Sequence, residues 1–497
     1  MKRFIILAAG FALVAAIGAA PASAAVDTPT FNAEVGQLML DNCASCHRPN
    51  QIAPMSLLSY KEVRPWARAI KSKVVSREMP PWFADSQFGE FANDSSLSDE
   101  QIATIVAWVD AGAPEGDGIA PQPPNYSDSG WGHPDGLEPD YVIEFPIEWD
   151  VTADGEFPNF NLYQPLPFND VMRVSATQVR PGNYAATHHI TTALMSMPPG
   201  MKLGTGPAWA GGPTMEYAMV LDPNADHDAL GKARQAEAEE EDRDNRAETL
   251  EERAKRQERA RARTGFGAYI PGRRAEPLPT GLAKEIRGDL FDHIVWNMHY
   301  QATGKPEKAR PSIGAWFAPE GVTKYQRTLS LSETTSQSEQ LVAPSRTREE
   351  RVAAAKARQI AQNINPLLDP IPAGDANWTV TGVGAFQNDS ILQSIFIHAH
   401  LRGKDFTYVL TYPDGREDVL LRVPNYDFDW QFDYELAEPI RVPAGSTLKA
   451  VARYDNSRGN RENPAPHKET YWSEQSWDDM FLTTASYVLE DDEANDD

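Results

Sequence analysis

The sequence predicts a multidomain chain: a small all-α domain at the front, then two all-β domains of packed sheets with helical insertions. Three observations carry that expectation. The chain has 497 residues, about three domains at roughly 150 residues each. Alternating apolar and polar runs, the mark of half-buried strands, begin near Tyr141 and again near Trp378. Its 39 Pro and 33 Gly supply many turns and argue against a long coiled coil or a simple bundle. At 41% hydrophobic residues, a sizeable core is available. The 71 acidic side chains against 46 basic ones, a formal charge of −25, repel a phosphate backbone and exclude nucleic acid as a partner.

At the front, Lys2 and Arg3 precede an apolar run from Phe4 to Ala20, and Ala22-Ser23-Ala24 supplies the small residues that signal peptidase needs. Residues 1–24 are therefore expected to be a cleaved signal peptide, with a periplasmic product. An uncleaved anchor fits less well, because the run is short, and no later stretch is expected to span a membrane. The only two cysteines lie in Cys43-Ala44-Ser45-Cys46-His47. In a C-x-x-C-H, two thiols add to the heme vinyl groups while the following histidine ligates iron. A thioredoxin-like pair or half a zinc site fits less well, since there is no second cysteine pair and no surrounding βαβ pattern. The cofactor expected here is covalent heme c.

Met55 and Met79 are the methionines in range as sixth ligand. Met79 lies in Glu78-Met79-Pro80-Pro81-Trp82, where two prolines stiffen an extended loop. Farther on, Leu97-Ser98-Asp99-Glu100 opens an amphipathic helix through Ile102, Ile105, Val106 and Val109, with Ser98 as N-cap. From Val26 to about Gly118 this arrangement resembles small bacterial c-type cytochromes, and 25–118 is expected to be such a domain. The resemblance favours Met79 as axial ligand and leaves Met55 as an ordinary core methionine.

Residues 119–139, rich in Pro, Gly, Asp and Ser, read as a linker. A first β domain is expected over 140–325, with strands at Tyr141 to Trp149 and Val171 to Val174. Within it, about 226–263 is almost all Ala, Glu, Asp, Arg and Lys, with acids early and bases late, as suits a helix dipole. It reads as a solvated insertion helix or a partner-binding segment. The linker 326–372 holds a second helix candidate from Ser345 to Asn365, with Val352, Ile360 and Ile364 along one side. A second β domain is expected over 373–489. In it Tyr408 to Tyr412 and Asp418 to Val423 flank Pro413-Asp414-Gly415, a hairpin signal. Residues 490–497 form an acidic tail.

The ten histidines cluster. His398-Ala399-His400 lies in a strand-like run from Ser394 to Leu401, where period-2 geometry puts both imidazoles on one face. Alone, such a pair is weak evidence for a metal. His188 and His189 are adjacent, so they would point to opposite faces of a strand unless a bulge or strand end intervenes. In His293 to Tyr300, Ile294, Trp296, Met298 and Tyr300 form an apolar face, leaving His299 with Asn297 on the other.

From Tyr141 to Leu489 these pieces, in this order, resemble the copper type II, ascorbate-dependent monooxygenases, the family of dopamine β-hydroxylase and peptidylglycine α-hydroxylating monooxygenase. The resemblance implies two jelly-roll-like β-sandwiches, each with one copper. One copper would be held by His188, His189 and His299, the other by His398, His400 and Met480. Imidazole suits copper, and a thioether selects soft Cu(I). Without the resemblance, Met480 would read as core filler. The implied reaction takes R–H, O2, two electrons and two protons to R–OH and water. His398, His400 and Met480 would be its catalytic residues, and the first copper would store and pass an electron.

The sequence also departs from the family. Thr187 stands where animal members carry cysteine. Phe396, two residues before His398, replaces the arginine that clamps a substrate carboxylate in peptidylglycine-hydroxylating members. Leu482 and Thr484 follow Met480 in place of polar contacts. A weakly charged small-molecule substrate is therefore expected, since an unpaired carboxylate would bear its desolvation cost. The electrons would come from an external donor, through the fused heme. An alternative keeps every ligand: a copper- and heme-binding electron-transfer protein without oxygenase activity. A β-rich interaction module with a heme segment attached would leave the six copper candidates without a role.

Overall fold

A computed structural model describes residues 28–49, 51–124, 126, 130–155, 157–207, 213–226, 229, 264–271, 275, 277–331, 368 and 370–491. The signal segment, nearly all of the charged insertion, the 345–365 helix and the end of the tail lie outside these residues.

The structure corrects the expected fold class. Among the described residues strand accounts for 39% and helix for 11%, and these residues show no all-α cytochrome domain preceding a pair of jelly-roll-like sandwiches. Among the described residues four larger sheets, antiparallel but for one short edge strand, stand as four blades and pack in two pairs. In spatial order, the first sheet joins Tyr141–Glu144, Ser312–Phe317, Val171–Arg180, Leu282–Arg287 and, in parallel, Lys324–Tyr325. The second joins Phe160–Pro165, His293–Tyr300, Thr187–Met195 and Thr264–Tyr269. Their facing sides share one core, where Ile190, Ile294, Trp296, Met298 and Ile313 are almost fully buried.

The third sheet joins Arg327–Ser330, Leu482–Leu489, Ser390–His398 and Asp433–Val442, and the fourth Trp378–Ala385, Thr447–Tyr454, Gly403–Thr411 and Glu417–Val423. Leu392, Ile395, Phe406, Tyr408 and Leu448 fill the core between them. Arg327–Ser330 pairs with Leu482–Leu489, so part of the expected linker 326–372 is a strand of the second pair. The hairpin read from Pro413-Asp414-Gly415 joins Gly403–Thr411 to Glu417–Val423.

The helices are short: Gly36–Asn42, Tyr60–Val63, Ala67–Val75 and Asp99–Asp110. Ser98 caps the last in a reciprocal capping box with Gln101, as the sequence predicts. They gather a small apolar cluster around Val35, Met39, Val63 and Trp108 but do not close into a separate domain. The segment after Val75 carries Trp82, Phe83 and Phe91, and all three pack against the core of the third and fourth sheets. Backbone bonds join the same segment to the sheets. The Asp85 N–H donates to the Arg422 carbonyl at 2.8 Å, Ala92 to Glu435 at 2.8 Å and Ala437 to Glu90 at 2.9 Å. Ile52 packs against the core of the first pair. The front segment is thus fused to both pairs of sheets. Among the described residues, no helix is long and apolar enough to cross a membrane.

Candidate metal centre

His188 and His189 open the strand Thr187–Met195, where the register against His293–Tyr300 slips between His299 and Tyr300. His189 faces His299 directly and Thr187 faces Tyr300, so His188 is the extra residue of a bulge. That irregularity lets two adjacent histidines turn toward one place. The ring centroids lie 5.3 Å apart for His188 and His189, 5.1 Å for His188 and His299, and 5.0 Å for His189 and His299. One ring nitrogen from each lies within 4.8 Å of the others.

Hydrogen bonding shows which nitrogens are free. Nε2 of His188 is 3.4 Å from Oδ1 of Asp429, and a carboxylate only accepts, so Nδ1 keeps the lone pair. The Phe157 carbonyl accepts from the His299 ring, while Nδ1 of His299 has no partner. His189 has no partner on either nitrogen. Burial, reinforced by His188, pushes His299 down to about 3, and burial with His299 and His188 beside it holds His189 well below the usual range. Each of the three turns at least one ring nitrogen without a hydrogen-bond partner toward the same buried place, which is the chemistry a metal ion satisfies.

The second group forms where the strand Ser390–His398 ends. His398 and His400 have ring centroids 5.1 Å apart at 85°. Nδ1 of His398 is 2.6 Å from Oε1 of Gln431, whose amide nitrogen donates to the Phe428 carbonyl at 2.9 Å, so the amide oxygen accepts and Nε2 is free. Nδ1 of His400 has no partner. Burial pushes His398 down to about 4 and keeps His400 well below the usual range.

Fully buried Asp479 ties Met480 to this pair. Its carboxylate accepts from the backbone N–H of His400 (2.9 Å), Arg402 (3.1 Å) and Met480 (2.8 Å). Leu482 pairs with His398 and Thr484 with Phe396 across the strands, so these four share a face. Leu482 is 37% exposed and Trp477 38%, leaving apolar surface near the second group.

Near the front, His47 makes an Nδ1 contact of 3.2 Å with the Met55 carbonyl, which accepts and leaves Nε2 free to ligate. Burial pushes the Cys43 thiol up to about 12, and Cys46 beside it adds to the rise. Met55 packs into the helical cluster, whereas half-buried Met79 lies outside it. The C-x-x-C-H turn lies near the second sheet. Burial pushes the Tyr269 phenol up, with Tyr184 and Cys46 nearby adding to it, and Tyr269 pairs with Ile190, next to His189.

No family model matches the chain, and no curated protein matches it. Among solved structures, similarity is slight. A Paenibacillus xanthan lyase aligns at 8% identity over 76% of this chain and 27% of its own, with a TM-score of 0.18. PNGF-II aligns at 8% identity over 70% and 65%, with a TM-score of 0.24. Allantoicase aligns at 10% identity over 63% and 83%, with a TM-score of 0.15. The alignment takes in less than two thirds of the first two. Likeness at this level carries no argument about chemistry.

The two histidine groups face each other across the junction of the sheet pairs. Asn159 and Gln475 exchange bonds there: the Asn159 N–H donates to Oε1 of Gln475 at 2.9 Å, and Nε2 of Gln475 donates to the Asn159 carbonyl at 3.0 Å. Sequence reasoning named all six side chains but missed Asp429, Gln431 and Asp479, which orient them. Their spacing carries no motif. The one available signal was the run of aromatic and acidic residues from Tyr426 to Trp430 directly after a predicted hairpin.

Proposed function

We propose that this chain is a periplasmic copper-dependent monooxygenase, similar in its donor set to the copper type II, ascorbate-dependent enzymes. It hydroxylates a C–H bond of a small, weakly charged organic molecule with O2. The observation that carries the reading is the pair of histidine groups, each with ring nitrogens that lack hydrogen-bond partners, set on either side of one junction.

Copper, when bound, supplies one-electron redox chemistry and O2 activation. His188, His189 and His299 would hold one ion, and His398, His400 and Met480 the other, with the Met480 thioether favouring Cu(I). Asp429 and Gln431 fix the His188 and His398 tautomers, and burial disfavours the protonated form of His398. Phe396, Leu482 and Trp477 offer the substrate an apolar, uncharged surface. Cys43 and Cys46 would hold a heme c, with His47 and Met79 as the side chains that would ligate its iron, and that group would supply one-electron transfer. Fusion of its segment to both sheet pairs keeps it at high effective concentration.

The test is copper analysis of the full-length protein, followed by O2 uptake with candidate substrates. Two copper ions per chain and O2 consumption matched to hydroxylated product are expected. No copper overturns the reading. Two coppers without product, across apolar substrates, would leave an electron-transfer protein. Stopped-flow mixing with O2 and substrate should show heme oxidation at the rate of product formation.

A further inference from the structure

The segment between Glu417–Val423 and Asp433–Val442 touches both histidine groups. The Tyr426 hydroxyl accepts from the Ala399 N–H at 3.1 Å and donates to the Ala399 carbonyl at 2.8 Å, gripping the residue between His398 and His400. Two residues on, the Phe428 ring stacks on His188 with centroids 4.6 Å apart at 25°. The same ring meets His400 edge-on at 5.7 Å and 79°. Asp429 holds Nε2 of His188, and Gln431 holds Nδ1 of His398. Gln431 also donates to the Phe428 carbonyl, so the segment is bonded to itself at the point where it crosses the junction.

We propose that Phe428 bridges the two metal centres: its ring fills the space between His188 and His400 and is the contact across which one electron passes from the first centre to the second. The inference rests on the two-copper reading above. Two spans that share the Phe428 centroid put the His188 and His400 rings no more than about 10 Å apart. The ring keeps water out of that space and holds both imidazoles in van der Waals contact. In the step, the centre that His188, His189 and His299 would hold would give up one electron, Cu(I) to Cu(II), and the centre that His398, His400 and Met480 would hold would take it up, Cu(II) to Cu(I). No bond is made and no proton moves. Phe428 is a positioning residue, while Asp429 keeps the His188 ring it touches from turning and Gln431 does the same for His398.

The experiment uses the full-length protein loaded with copper, with Phe428→Leu, Phe428→Ala and Phe428→Tyr as variants. Copper per chain is measured first; then one electron is injected by flash photoreduction and its redistribution between the two centres is followed by absorption and freeze-quench EPR. Two coppers are expected in every variant. Redistribution should slow at least tenfold in Phe428→Leu and Phe428→Ala and stay within twofold in Phe428→Tyr, which keeps the ring. Unchanged redistribution in Phe428→Leu overturns the proposal. Copper loss from the first centre in both ring-less variants would also overturn it, because the ring would then be packing for His188. An unmutated protein without copper would overturn the two-copper reading itself, a result distinct from either.

Discussion

Replacing Asp479 separates the second histidine group from the rest of the molecule. The carboxylate accepts three backbone N–H bonds and lies beside Arg402, which is 0% exposed. Arg402 also donates to Asn456 at 2.9 Å and to the carbonyls of Trp477 and Asp478 at 3.0 and 3.2 Å. Asp479→Ala leaves three buried donors unsatisfied, at about 1–3 kcal/mol each. It also removes one of the two carboxylates, with Asp478, whose charge favours the buried Arg402 guanidinium. The terms belong to one network and do not add, so the expected loss is about 5 kcal/mol. Asp479→Asn keeps one acceptor for His400 and Met480 but turns its amide toward the Arg402 N–H, for about 2–3 kcal/mol.

For a unit of this size, 1 kcal/mol is about 2–4 °C, so Asp479→Ala should lower the melting temperature of the second sheet pair by about 10–20 °C and Asp479→Asn by about half as much. Burial pushes the Asp479 carboxyl up to about 7 against the pull of its donors, so melting is followed at pH 8.5, where it is ionised. Calorimetry together with Cu(I) titration is the assay. The second centre should weaken in the order wild type, Asn, Ala, while the first keeps its copper. A melting temperature within about 2 °C of wild type for Asp479→Ala, with both coppers retained, would refute the reasoning.

Heme staining of a denaturing gel should show one covalent heme on the intact chain. His47→Ala should prevent a native spectrum, and Met79→Leu, but not Met55→Leu, should remove a sulfur–iron charge-transfer band. Met480→Ile should keep the first copper and weaken Cu(I) at the second about tenfold or more, because the soft ligand is lost while the imidazoles remain; loss of both coppers, or of neither, would count against two separate centres. Glycine-extended peptides should not be hydroxylated, since Phe396 and Leu482 themselves offer no charge to pair a carboxylate, and efficient turnover in a peptide assay would contradict this.

Period alone made much of the β architecture legible. The alternation from His293 to Tyr300 placed Ile294, Trp296, Met298 and Tyr300 inward, and the structure buries them. Local chemistry marked the Ser98 cap and the Pro413-Asp414-Gly415 hairpin. The spacing of C-x-x-C-H, His-His and H-x-H singled out the donor residues, because ligand type and short-range spacing are properties of the chain itself. The autonomy of the front segment was misjudged, since Trp82 and Phe91 find their apolar partners in sheets more than 300 residues away. A helical period reports which face is apolar and says nothing of what covers it. The bulge at His188 arises from pairing with His299, and the opposition of the two histidine groups through Phe428 arises from docking one pair of sheets against the other. Both are contacts between residues far apart in the chain, so only the tertiary structure decided them.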